Sequence, residues 1–168
     1  RTLTISADDF LAMRIARGAM DADTLAAVTE AAGRYAALRA AIRMLGAGQC
    51  SRRRLYEKLR ARRITDADAT FAVDTVYAKG YIDEDWQLRS YIRTLTAQKQ
   101  YGPRKLYAAL AAKGYRGDDI RRAMDEHFGA EEIRAARRAF LEKKFGKTAP
   151  ETRDEAAAMR QALYKQGF

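Results

Sequence analysis

Apolar residues recur at helical spacing along most of the chain, and they recur in copies. Leu55, Leu59 and Ile64 are matched by Leu106, Leu110 and Tyr115 at an offset of 51, and by Met159, Leu163 and Phe168 at a further offset of 53. A spacing of four puts each leucine pair on one helical face, and the second and third copies break at Gly114 and Gly167. A second helix follows in the first two copies. Ala69, Val73, Val76 and Tyr77 mark its apolar face in one, and Ile120, Met124, His127 and Phe128 in the other. Its start is signalled by Thr65 with Asp68, and by Gly117 with Asp118 and Asp119. A further helix precedes each leucine helix: Leu38, Ile42 and Leu45 in the first copy, Leu88, Ile92 and Leu95 in the second, Ile133, Phe140 and Leu141 in the third.

The pattern predicts an all-α fold of tandem three-helix repeats in an elongated, curved array. A three-helix unit this short cannot bury its apolar face alone, so neighbouring units should share a core. The expected organisation is an N-terminal extension over residues 1–34, repeat 1 over 35–82, repeat 2 over 83–129, and a partial repeat 3 over 130–168 that lacks its last helix. Within the extension, Thr2, Leu3, Thr4 and Ile5 read as a short strand. Ser6, with Asp8 and Asp9, reads as a helix start and Gly18 as its stop. Arg1 in place of Met and the missing last helix lead to the expectation that the 168 residues are part of a longer protein.

Composition agrees with helices, since only two prolines, Pro103 and Pro150, interrupt the chain. The single cysteine, Cys50, excludes an intramolecular disulfide and a cysteine-based zinc site, and points to a reducing, cytoplasmic setting. No run approaches the roughly 18 apolar residues of a membrane span, so no membrane association is expected. Charge changes the picture more. Thirty-two Lys and Arg stand against 22 Asp and Glu, a net +10, and the signs alternate in blocks. Residues 34–63 hold ten bases and one acid, 64–86 one base and six acids, 87–122 nine bases and two acids. Residues 123–133 then hold four acids, and 134–147 six bases and one acid. Basic surface should therefore come in successive patches suited to an anionic partner.

The densest patch is SRRRLYEKLRARRI, residues 51–64, with seven bases and one acid. Arg52, Arg53 and Arg54 fall in a first helical turn, where acids are favoured by roughly 0.3–1 kcal/mol. An anion there would relieve the mismatch. Taken singly, each base reads as a solvated surface charge; the cluster is what points to a partner. Tyr56 and Tyr107, at equivalent positions, read mainly as packing between helices and secondarily as platforms for unpaired bases. Catalytic signals are weak, and no cofactor is expected. Asp83, Glu84 and Asp85 are consecutive and fit helix capping better than metal binding. His127 stands alone on the apolar side and reads as structural. Cys50 reads as a small buried residue, and no phosphate-cradling glycine loop or nucleophile elbow is present.

Three motifs resemble the RecX family of recombination regulators: S-x-x-x-L-x-x-K-L at Ser51, Leu55, Lys58 and Leu59; G-Y-I-D from Gly80 to Asp83; and Y-G-P-x-x-L-x-x-x-L-x-x-K-G-Y from Tyr101 to Tyr115. The resemblance covers residues 35–168 and is most specific in the middle segment. It departs from the family at Arg62-Arg63, where Lys-Gly is expected, and at Trp86-Gln87-Leu88, where an aromatic-Ala pair is usual. It implies a non-enzymatic modulator of the RecA recombinase, in the inhibitory sense, binding the groove of the RecA filament on single-stranded DNA and modulating recombination, DNA repair and SOS coprotease activity. The chain would act as a monomer and contact the DNA through phosphates, without sequence preference. On that reading the contacting bases are Arg52, Arg53, Arg54, Lys58, Arg60, Arg62 and Arg63 in the first unit, Arg104, Lys105 and Lys113 in the second, and Arg137, Arg138, Lys143 and Lys144 in the third. The same three short helices could also form a helix-turn-helix-like DNA-binding protein or repressor, or a scaffold for acidic proteins. The acidic third helix of each unit argues against insertion into a DNA groove.

Overall fold

The computed structural model describes residues 2–15 and 18–168; Arg1, Ala16 and Arg17, within the expected extension 1–34, lie outside the described residues. The described residues form helices and loops, in the order α1 (Ala7–Ala12), α2 (Ala22–Ala47), α3 (Arg52–Ala61), α4 (Asp66–Ala78), α5 (Glu84–Lys99), α6 (Pro103–Ala112), α7 (Gly117–His127), α8 (Ala130–Phe145) and α9 (Arg153–Gln166). They divide into two compact units, Arg1–Ile82 and Asp83–Phe168.

In the first unit α2, α3 and α4 pack on one another around Leu55, Leu59, Val73, Val76, Ala37 and Ala41. Leu55 and Leu59 are fully buried, as their spacing requires. Ser51 caps α3 by accepting from the Arg54 N–H, and Thr65 caps α4 by accepting from the Asp68 N–H. Polar caps of this kind satisfy amides that the helix itself leaves without partners. The G-Y-I-D stretch is a joint. Gly80 is left-handed (φ 73°), and the Tyr81 N–H returns to the Val76 carbonyl at 2.9 Å, closing α4. Ile82 plugs the core, and Asp83 caps α5 through the Trp86 N–H.

The second unit repeats the plan. α5, α6 and α7 enclose Leu88, Ile92, Leu106, Leu110 and Ile120, with Tyr115 and Phe128 at the margin. α8 and α9 pack on each other, α8 also reaches α5, and Phe168 packs against this core. α9 enters through a full capping box between Thr152 and Glu155.

Several expectations are corrected. Residues 2–5 form no strand, because no second strand among the described residues offers them a ladder. α1 starts at the expected Ser6 cap but closes at Met13, before Gly18. The boundary placed between residues 34 and 35 lies inside α2, which runs unbroken through Gly33. A glycine costs a helix interior about 1 kcal/mol, and the packing of α2 on α4 outweighs that. The cap of α7 is Arg116, and Gly117 is its first residue. Tyr77 and His127 are exposed; the buried faces are Ala69, Ala72, Val73 and Val76 in α4, and Ile120 and Ala123 in α7 with Phe128 beyond it. His127 lies in the last turn, where Phe128 takes the inward place.

The end of each leucine helix settles the Arg62-Arg63 departure. Arg63 is left-handed (φ 64°), like Gly114 (88°) and Gly167 (96°) at the equivalent positions. The Arg63 N–H donates to the Arg60 carbonyl, as the Gly114 N–H does to Ala111 and the Gly167 N–H to Tyr164. The turn is thus kept although its glycine is not. Left-handed backbone costs a non-glycine residue about 1–2 kcal/mol, and glycine gives back roughly 0.5–1 kcal/mol of that through its freer unfolded chain. Arg63→Gly is therefore expected to raise the stability of the first unit by up to about 1 kcal/mol. An unchanged or lower denaturation midpoint would show that contacts of the arginine side chain already offset its backbone.

Candidate functional site

Every basic residue singled out from sequence lies on or beside a helix, but the structure gives them different neighbours. Arg52, Arg53 and Arg54 are the first three residues of α3, which carries no acid in its first turn. Its positive dipole end and three guanidiniums coincide. Glu57, one turn on, accepts from Arg53 at 3.0 Å and from Arg54 at 3.1 Å. These two hydrogen bonds hold the Glu57 carboxyl below its usual range. The pairs are solvent-exposed, so a partner anion could displace Glu57 at little cost. Arg52 is half-buried, with its guanidinium 4.1 Å from the Tyr77 ring centre. Lys58, Arg60, Arg62 and Arg63 are exposed along and beyond the same helix, with Arg60 also donating to the Ile64 carbonyl at 2.5 Å.

Tyr56 is half-buried against the first core, and its hydroxyl donates to Asp66. That bond raises the phenol's pKa above its ordinary value. Tyr107 packs against the second core. Both side chains therefore have the packing role. Cys50 is buried, and desolvation raises its thiol pKa, which makes it a poor nucleophile. Of the acidic trio, Asp83 is a cap and Asp85 pairs with Arg122 at 2.9 Å. Among the described residues no group of three or more His, Cys, Asp or Glu could hold a metal ion, and no helix is long and apolar enough to cross a membrane.

Arg104 and Lys105 depart from the expected pattern. Both are turned to the chain's own α9. The Arg104 guanidinium donates to the carbonyl oxygens of Tyr164 (3.2 Å) and Phe168 (3.0 Å), and lies 4.2 Å from the Tyr164 ring centre. Lys105 donates to the Gln166 side chain at 3.1 Å and sits 4.6 Å over Tyr101. Beneath them the backbones meet: the Gly102 N–H donates to Gln166 (2.9 Å), and the Arg104 N–H to Gly167 (3.1 Å). The carbonyl end of one helix thus satisfies the amide end of another. A Cβ on Gly102 would lie 2.4 Å from the Gly167 carbonyl carbon, so the glycine of Y-G-P is required by close approach. A link over some sixty residues leaves no local signal.

Lys113 lies 4.2 Å over the Tyr91 ring, and Arg137 and Arg138 are exposed on α8. Lys143 and Lys144, at the end of α8, are joined around a cleft by Lys99 of α5, which the sequence reading passed over. Lys99 carries no repeat counterpart among the candidates; only the approach of α8 to α5 gives it company.

No family model matches the chain. Among curated relatives, it is 26% identical over 167 residues to "Regulatory protein RecX" of Geobacillus thermodenitrificans, an alignment covering 99% of this chain and 62% of that relative's length. It is 34% identical over 102 residues to the protein of the same name from Thermus thermophilus, covering 61% of this chain and 70% of the relative. The Stenotrophomonas maltophilia protein, also "Regulatory protein RecX", is 30% identical over 118 residues, 70% of this chain and 71% of the relative. The fold is similar to "Crystal structure of regulatory protein RecX" (TM-score 0.83, 21% identity, 98% of this chain and 81% of that one). It is also similar to "Crystal structure of RecX from Lactobacillus salivarius" (TM-score 0.71, 18% identity, 81% and 88%). With the repeated leucine helices and the Y-G-P and G-Y-I-D joints in place, this chain belongs to the RecX family of regulatory proteins.

Proposed function

We propose that the chain is a regulator, in the inhibitory sense, of a RecA-type recombinase, acting as a cytoplasmic monomer on the filament that the recombinase forms on single-stranded DNA. The observation that carries this reading is α3: three arginines at the positive end of a helix, four more bases along and beyond it, and one readily displaced acid. A filament groove lined with phosphate charge offers such a face counterion release and an anion for the α3 N-terminus. The contacting bases are Arg52, Arg53, Arg54, Lys58, Arg60, Arg62 and Arg63, together with Lys113, Arg137, Arg138, Lys143 and Lys144. Arg104 and Lys105 contribute charge while holding α9. A groove-reading helix-turn-helix is less favoured, because α4 and α7 open on Asp66, Asp68, Asp118 and Asp119.

The test is charge reversal of Arg52, Arg53 and Arg54 to Glu together. Filament affinity should fall at least about tenfold, with a shallower dependence on salt, while thermal stability and helix content stay close to the parent's. Undiminished filament binding would remove α3 from the interface. Lost helicity would show instead that the arginines are structural.

A further inference from the structure

Residues of α5, α8 and the end of α9 line an open cleft of about 410 Å³. Lys99, Lys143 and Lys144 stand around it, the half-buried Phe140 ring forms one wall, and no carboxylate lines it. Three lysines on one cleft with no acid in its lining favour an anion there, and the Lys144 ammonium lies 5.8 Å over the Phe140 ring and 5.5 Å over Phe145. The C-terminal end of a helix is ordinarily the wrong place for an anion, because its carbonyls point outward. Here the end of α5 is covered. The Gln166 side-chain amide donates to the carbonyls of Lys99 and Gln100, and its oxygen accepts from Lys105. Gln166 therefore satisfies two of the carbonyls at the end of α5 and fixes the back wall, while Gln100 is left-handed with its own side chain bonded to Ala97. α8 and α9 also end here, and Lys143 and Lys144 in the last turn of α8 offset its carbonyl end.

The geometry points to a subsite for one nucleotide of a single strand: its phosphate among Lys99, Lys143 and Lys144, its base against Phe140. The volume is in the range of small-ligand pockets, roughly 300–1,000 Å³, and base–aromatic stacking next to a basic groove is how single strands are held without sequence reading. This rests on the filament reading above and deepens it, by giving the second unit an unpaired-base contact that duplex DNA does not offer.

Fluorescence anisotropy with two labelled dodecamers tests it: oligo(dT), and an abasic strand with the same phosphates. The parent protein should bind oligo(dT) at least about fivefold tighter than the abasic strand, the size of one base–aromatic stack. Phe140→Ala should erase that ratio while leaving abasic binding unchanged, and Phe140→Tyr should keep it. Should the alanine variant lose helicity, Phe140→Leu keeps apolar volume without a ring face and is expected to erase the ratio equally. Lys99→Ala should flatten the salt dependence by about one contact on both strands. An unchanged ratio in the ring-less variants, or no binding of either strand by the parent, overturns the subsite. So does a Lys99→Ala variant that loses filament binding but keeps its oligonucleotide affinities, which would mark the cleft as a seat for an acidic protein segment. Filament binding measured on the same proteins separates the two readings. If it persists while the ratio does not respond to Phe140, the cleft fails and the regulator stands; a responsive ratio with no filament binding by the parent gives the reverse.

Discussion

Leu110→Ala is expected to destabilise the second unit by about 2–5 kcal/mol, and Leu59→Ala the first unit by a similar amount. Both side chains are fully buried in the centres of their cores. Truncation removes the transfer free energy of the lost atoms and leaves a cavity, and the spread reflects how far each site can collapse. Denaturant titration of each variant checks the values, with Leu11→Ala as the comparison: Leu11 is 71% exposed and should change stability by less than about 0.5 kcal/mol. The point of the pair is equivalence. The two leucines occupy the same position in two copies of one unit, so costs that are both near zero would mean that the copies do not share a core position at all.

Gly102→Ala should have the next largest effect, about 2–4 kcal/mol on the docking of α9, combining overpacking with the loss of two backbone hydrogen bonds. The added Cβ would lie 2.4–2.6 Å from backbone atoms of Gly167 and Phe168, which cannot swing away as a side chain can. The readout is hydrogen exchange: amides of Gly102, Arg104 and the last turn of α9 should lose on the order of a hundredfold in protection or more, while α2–α4 keep theirs. Arg104→Ala should show a weaker form of the same loss, because it removes the side-chain bonds to Tyr164 and Phe168 but leaves the backbones in contact. Unaltered protection in the Gly102 variant would contradict the close approach itself.

These two expectations bear on what the family motifs encode. In Y-G-P, Tyr101 packs on the second core, Gly102 admits α9, and Pro103 opens α6 where a missing N–H costs nothing. In K-G-Y, Gly114 makes the left-handed turn and Tyr115 buries its ring while donating to Gln87 at 2.6 Å. In G-Y-I-D the glycine closes a helix, the isoleucine enters a core and the aspartate opens the next helix. The apolar, glycine and capping positions of the motifs are scaffold. Most of the bases proposed to meet a partner stand at positions the motifs leave open or outside them, with Lys58 and Lys113 the motif residues among them.

What was legible in the sequence follows from range. The leucine helices and the caps at Ser51, Thr65 and Asp83 are local: periodicity and a polar residue one turn ahead determine them. The left-handed turn at Arg63 could be read only by comparing copies, since nothing around an arginine pair announces it. The 26-residue α2 was not legible, because packing against α4 overrides a weak helical signal at Gly33. Neither was the engagement of Arg104 and Lys105 with α9, nor the company that Lys99 finds in Phe140, Lys143 and Lys144. Those depend on contacts between segments far apart in the chain, and a row of bases looks the same in sequence whether it faces a partner or a helix end.

Regulation of a RecA-type filament is tested by binding of the chain to single-stranded DNA with and without RecA and a non-hydrolysable ATP analogue, followed by RecA-dependent ATP hydrolysis as the chain is added. Binding should be tighter to the assembled filament than to naked DNA at the same salt, and hydrolysis should fall. Equal binding to both, with hydrolysis untouched, would contradict that regulation.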